Sequence, residues 1–167
     1  AQRFLTADVP TLDDALQGAR DVVAERLATD PAGRAWCRKQ VGQHGQLRSA
    51  AKKDADVSRF RDYVDRSESV RSIPPHRYLA MCRGESEGAL RVSVVLDTDR
   101  LVSDVLRSAR HRPQSPYGPE LRTAAEDAVK RLLLPVAVRA VRKVLKRESD
   151  DAAIDVFQRN LEALLLQ

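Results

Sequence analysis

Ser49 and Lys52 satisfy the S-x-x-K spacing, which on a helix sets a serine hydroxyl one turn from a lysine base able to take its proton. The companion motifs S-D-N and K-T-G are absent, and the neighbourhood LRSAAKKDAD is polar, unlike a helix start in a cleft. No HExxH, GxxxxGK[ST] or GxGxxG occurs either. The carboxylates Glu85 and Glu87 flanked by Gly84 and Gly88 have the types needed for acid/base work or Mg²⁺ binding. Such work requires a pocket that shifts their pKa values, and the spacing predicts a solvated turn instead. Asp13-Asp14 and Asp150-Asp151 are expected to be first-turn helix charges. Catalytic residues are therefore expected to be absent.

The metal-binding residue types are sparse. His76 follows Pro75 at a helix start, and His44 and His111 lie among polar neighbours. Cys37 and Cys82 are far apart and in no CxxC. Neither a zinc site nor a disulfide framework is expected, and no cofactor is implied. The remaining chemistry belongs to the cations. Arg34, Arg38, Lys39, Arg48, Lys52 and Lys53 form a first cluster. Arg107, Arg110, His111 and Arg112 form a second, and Arg139, Arg142, Lys143, Lys146 and Arg147 a third at helical spacing. Phosphate backbones are held by several cations on one surface, each adding a salt-sensitive contact. The first cluster is the candidate nucleic-acid-binding set, because it spans a helix–Gly–loop region where backbone donors can assist. The third has the spacing of a solvated helix face.

The elements that must position these residues are mostly helical. Thr11 with Asp14 resembles a capping box, and Leu12, Leu16, Ala19, Val23 and Leu27 form one stripe ending near Thr29. Asp30-Pro31 opens a second helix to about Gln43, stopped by Gly42 and Gly45. Gln46 to Asp56 shows no period and is expected to be a loop. Val57–Arg71 is expected to be a short helix. Pro75 opens another helix, to about Arg83. Ala89–Leu96 alternates and is β-branched, so it is the one plausible strand, paired in a short hairpin or with something outside this chain. A helix is expected from Asp99 to Arg110, then the linker RHRPQSPYGPE. In the last third, Pro135 is expected to kink or break a helix and Ser149 to restart one. Trp36 and Phe157 fall on apolar stripes and are expected in the core.

Of 167 residues 43% are hydrophobic and only 4% aromatic, which suits an aliphatic core of helix packed on helix. The 29 Lys+Arg against 24 Asp+Glu leave +5, compatible with nucleic acid without pointing to it. No apolar run has membrane-spanning length and no signal peptide is visible, so a cytoplasmic setting is expected. The chain starts at Ala1, without an initiator Met and in mid-pattern. On that basis it is expected to be a segment of a longer protein.

The run FRDYVDRSESVRSIPPHRYLAMCRGESEGALRV resembles a stretch of the bacterial Tex proteins, relatives of a eukaryotic transcription elongation factor that travels with RNA polymerase. The residues that carry the likeness are Phe60, Asp62, Tyr63, Asp65, Ser67, Glu68, Ile73, Pro74, His76, Arg77, Leu79, Ala80, Arg83, Gly84, Glu85, Glu87, Gly88 and Leu90. GARDVVAERLATDPAGRAWCRK, GQLRSAAKK and the final DAVKRLLLPVAVRAVRKVLKRESDDAAIDVFQRNLEALLLQ also resemble that family. The likeness is weakest between Val95 and Pro119.

The resemblance implies a region preceding a nuclease-like (YqgF-like) domain, in a parent protein of transcription and RNA metabolism with a C-terminal OB-fold. Expected, then, is a mainly α, multi-helix bundle-like fold with long C-terminal helices and one short β element near 89–96. Residues 1–115 would form a helical core of helix-turn-helix-like character, and 116–167 the long helices leading onward. The expected function is a non-enzymatic helical scaffold of an RNA-binding transcription accessory protein, with weak direct nucleic-acid contacts by the first cluster. The alternative is a protein–protein module docking on RNA polymerase or ribosome-associated factors without nucleic-acid binding.

Overall fold

The computed structural model of the chain describes residue 6, residues 9–109 and residues 114–166. In order, the elements are α1 (Leu12–Thr29), α2 (Pro31–His44), β1 (Gln46–Ala51), a 3-10 turn (Ser58–Tyr63), β2 (Ser67–Ser69), α3 (Pro75–Ser86), β3 (Leu90–Val95), α4 (Thr98–Ser108), α5 (Gly118–Asp127), a π-helical segment (Ala128–Leu133) and α6 (Leu134–Leu165). The mainly helical fold with long C-terminal helices and a small β element is as expected. The chain divides into two compact units, Ala1–Arg38 with Asp97–Ala137, and Lys39–Leu96 with Val138–Gln167.

The first unit is helix on helix. Thr11 caps α1 by accepting from the Asp14 amide at 3.1 Å, and the Asp14 carboxylate accepts from the Thr11 amide at 3.2 Å, completing the capping box. The Asp30 carboxylate accepts from the Gly33 amide at 2.7 Å and starts α2, with Pro31 at its first position. Asp97 does the same for α4, at 3.1 Å from both the Asp99 and Arg100 amides. α4 buries Leu101, Val102, Val105 and Leu106 along one face. α1, α5 and the π segment meet through Ala24, Ala28, Ala124, Ala125 and Ala128. Small side chains let these helices approach closely, so little aromatic volume is required.

Pro135 was expected to kink or break the last helix, and Ser149 to restart it. The helix is not broken at Pro135 and does not restart at Ser149: α6 runs on from Leu134 to Leu165, and Ser149 is buried within it at 4% exposure. Proline offers no donor and its ring crowds the carbonyl four residues back. Here the helix widens just upstream, where the Leu134 amide donates to the Val129 carbonyl, five residues back. That register slip accommodates the proline without ending the helix.

Among the arginine–carboxylate pairs of the first unit are two with short contacts. Arg20 Nε reaches Glu120 Oε2 at 2.5 Å, and Arg131 Nη2 reaches Asp127 Oδ2 at 2.6 Å. The hydrogen bond from Arg20 holds Glu120 below the ordinary carboxylate range, and that from Arg131 does the same for Asp127. A carboxylate with a depressed folded pKa contributes stability above its unfolded value and loses it as pH falls through the folded value. The melting temperature is therefore expected to be flat from about pH 5 to 8 and to drop below about pH 4. Glu120→Gln should melt lower at neutral pH and lose less between pH 5 and 3. Calorimetry across that range checks both expectations.

In the second unit three antiparallel strands lie in the order β2-β1-β3. Two expectations are corrected here. Residues 46–51 form the central strand, not a loop, and supply the partner of β3 from inside the chain, pairing Gln46 with Val95 through Ala51 with Leu90. Residues 57–71 form a 3-10 turn and β2 in place of a helix, with Arg48 opposite Ser67. The inner face of the sheet, with Leu47, Leu90 and Val92, packs on Tyr78 and Met81 of α3 and on Phe60 and Val70; Val141 and Leu145 of α6 lie against the same cluster. Gly84 is needed within α3 because an added Cβ would meet Leu90 Cδ1 at 2.6 Å.

The outer half of α6 departs from expectation too. Phe157 is 64% exposed, and Ile154, Leu161, Leu164 and Leu165 share its stripe on the solvent side. Among the described residues nothing covers them, whereas Trp36 is half-buried.

Candidate nucleic-acid interface

β1 alternates from Gln46 to Ala50. Leu47 and Ser49 point to the core, and Gln46, Arg48 and Ala50 point out. The period-2 rule puts Ser49 and Lys52 on opposite faces, and the buried Ser49 hydroxyl donates to the Tyr63 carbonyl. Serine and lysine are thus separated by the sheet itself, and the S-x-x-K spacing builds no nucleophile–base pair.

The outer face of the sheet is polar and cationic. Arg48 lies opposite Ser93 on β3 and Ser67 on β2, and Gln46 opposite Ser69. Arg91 pairs in register with Ala50 and shares the outer face with Arg48. Such diagonal neighbours sit roughly 7–8 Å apart across antiparallel strands. Lys52 and Lys53 follow at the strand end, both exposed, and the Lys52 amide continues the ladder to the Ala89 carbonyl at 2.9 Å. Arg48, Lys52, Lys53, Arg91 and the exposed Lys39 of α2 form no ion pair among the described residues. Arg91 was not in the sequence-derived set, because only the register reveals which residue of a remote strand lies beside Arg48.

The other two predicted members lie in the first unit. Arg34 and Arg38 sit one turn apart on α2, and Arg34 Nε donates to the Ala28 carbonyl at 2.6 Å. Both line a pocket with Glu25, Ala28, Thr29, Leu132, Leu133, Val136 and Ala137. The six cations thus divide, Arg34 and Arg38 in one unit and Lys39, Arg48, Lys52 and Lys53 in the other.

The remaining clusters are largely neutralised or undescribed. Lys146 pairs with Asp150 at 2.5 Å and Arg147 with Asp151 at 3.9 Å. Arg107 pairs with Asp104 at 3.0 Å, and Arg110, His111 and Arg112 lie outside the described residues. Glu85 is on α3 and half-buried, not in a solvated turn, and is paired with Arg142. Glu87 accepts from Arg83 Nε at 2.7 Å, which pulls its pKa down, with Arg59 at 3.4 Å. No group of three or more potential metal ligands occurs among the described residues, and no helix among them is long and apolar enough to cross a membrane.

Residues 1–157 match the family described as Tex central region-like. The chain belongs to this family. The YdcI protein of Bacillus subtilis strain 168 is 33% identical over 96% of the chain, and the transcriptional accessory protein Tex of Neisseria gonorrhoeae 29% over 99%. The human S1 RNA-binding domain-containing protein 1 is 31% identical over 93% of the chain. The Tex-like region is short within these relatives: the chain spans 23% of the length of each of the two bacterial proteins and 17% of the human one.

Proposed function

We propose that this Tex-type region is a non-enzymatic helical scaffold within a cytoplasmic, RNA-binding transcription accessory protein, and that its second unit adds direct phosphate contacts. The reading is supported most by the outer sheet face, where Arg48 and Arg91 lie side by side without carboxylate partners among the described residues, bordered by Lys52 and Lys53. Serines at 67, 69 and 93 offer hydroxyls to phosphate or ribose oxygens. The face has no aromatic ring, so it suits backbone contact without base stacking and with little sequence preference. Lys39 belongs to the same unit, and Arg34 and Arg38 are secondary in this reading.

Fluorescence anisotropy with single-stranded RNA, single-stranded DNA and duplex DNA across a salt series tests it. Arg48→Ala with Arg91→Ala is expected to weaken binding evenly across sequences. The log–log salt slope should become shallower by about 0.7–0.9 for each contact removed. Binding that is absent at low salt, or unchanged in the double variant, excludes the sheet face.

A further inference from the structure

We propose that the first unit carries a docking pocket for an acidic peptide of a protein partner, with a leucine-sized side chain as its anchor. The pocket holds ≈ 340 Å³. Ligand pockets run from roughly 300 to 1,000 Å³, so it takes one or two aliphatic side chains and little more. Its floor is Ala28, Leu133 and Ala137, all nearly fully buried, and Val136 stands in its wall at 53% exposure. An apolar wall this exposed at the mouth of a cavity gains from being covered.

Charge selects the occupant. Arg34 and Arg38 stand four residues apart on α2, so both guanidinium groups border the same side of the pocket. Arg34 is anchored through Nε to the Ala28 carbonyl, which leaves its terminal nitrogens for a ligand and lowers the entropy lost on capture. Arg38 has no hydrogen-bond or ion-pair partner among the described residues. Two such groups suit carboxylates flanking an apolar anchor. Glu25 is also in the lining and disfavours a second anion on its own side, so it sets the direction in which the peptide lies. The same carboxylate, the aliphatic floor and the lack of any aromatic ring argue against a nucleic-acid strand here.

Local backbone geometry points the same way. Leu132 and Leu133 belong to the π-helical segment, so the wide turn ahead of Pro135 also shapes the pocket wall. Single π turns inside α-helices are frequent at functional sites.

The full chain, immobilised, is panned against a phage-displayed library of random dodecapeptides, and the enriched peptides are remade with a fluorescent label for anisotropy. Enriched sequences are expected to place Leu, Ile or Met within four residues of two Asp or Glu. Arg34→Ala with Arg38→Ala should weaken them at least tenfold, and Val136→Asp, which puts a carboxylate in the wall, should do the same. Thermal melts identical to the parent chain show that both variants fold. Failure to enrich any peptide overturns the proposal, as does enrichment without acidic residues or binding unchanged in both variants. Displacement of the peptide by single-stranded RNA, together with RNA binding lost in the double arginine variant, would reassign the pocket to nucleic acid. Arg48→Ala with Arg91→Ala should leave peptide binding intact, which separates this site from the sheet face.

Discussion

Gly45→Ala is expected to destabilise the second unit by about 1–3 kcal/mol, the range for forcing extra atoms into a packed site. Gly45 is the residue at which α2 gives way to β1, and it is buried. Its amide donates to the Val41 carbonyl at 3.0 Å and its carbonyl accepts from the Val70 amide at 2.9 Å, so it cannot shift without releasing one of them. A Cβ built there would stand 2.4 Å from the Val41 carbonyl oxygen and 3.1 Å from both Val70 Cγ2 and Val94 Cγ1. The nearest obstacle is backbone, which no rotamer change can move. Gly18 and Gly42 are the controls, because both lie inside helices with nothing within 4 Å of an added Cβ. Alanine at either should stabilise by about 0.5–1 kcal/mol through lower unfolded-state entropy and better helix propensity. Urea unfolding of the three variants decides the matter. A neutral Gly45→Ala would mean that the α2–β1 junction is looser than its geometry.

The same junction shows what was legible in the sequence. α1, α2 and α3 each carry their start signal locally, as Thr11 with Asp14, Asp30-Pro31 and Pro75, and each was readable, whereas the cap of α4 at Asp97 lies two residues ahead of the start expected at Asp99. β1 was not. Its inward positions include the hydroxyl of Ser49 and its outward ones the methyl of Ala50, so the apolar–polar alternation that announces a strand is blurred. What makes it a strand is β3, some forty residues further on, and a ladder partner at that separation leaves no local trace. β2 is the sequence Ser-Glu-Ser, of low strand propensity, and is drawn extended only by pairing with Gln46–Arg48. The exposed stripe of α6 was misread for the opposite reason. Periodicity reports that Ile154, Phe157 and Leu161 share a face, and it says nothing of whether that face meets anything. For the candidate interface, the cluster Arg48, Lys52 and Lys53 was visible as a run, but Arg91 became its neighbour only through register.

Arg142→Ala is expected to cost about 1–3 kcal/mol, below the figure for a fully buried pair because about a quarter to a third of each partner's side chain is exposed. Arg142 of α6 and Glu85 of α3 join two elements far apart in sequence, with Nη1 to Oε1 at 3.4 Å and a shorter contact between Nη2 and Oε2. Burial works against the charged guanidinium, but its hydrogen bonds with Glu85 and Tyr78 more than offset that and leave its pKa raised. The adjacent Tyr78 hydroxyl, itself pushed up to about 12 mainly by burial, donates to the Arg142 carbonyl at 3.0 Å. Removing the arginine strands Glu85 as a half-buried carboxylate without its cation, so the loss is mostly an unpaired-charge penalty. Glu85→Gln in the same chain should then restore a good part of it, giving a favourable coupling in a double-mutant cycle. Tyr78→Phe removes one neutral hydrogen bond and keeps the ring in the core, so about 0.5–1.5 kcal/mol is expected. Denaturant unfolding of the four variants checks this. Additive losses for Arg142→Ala and Glu85→Gln would mean that the pair is solvated and that apolar packing of Val141 and Leu145 alone holds α6 to the second unit's core.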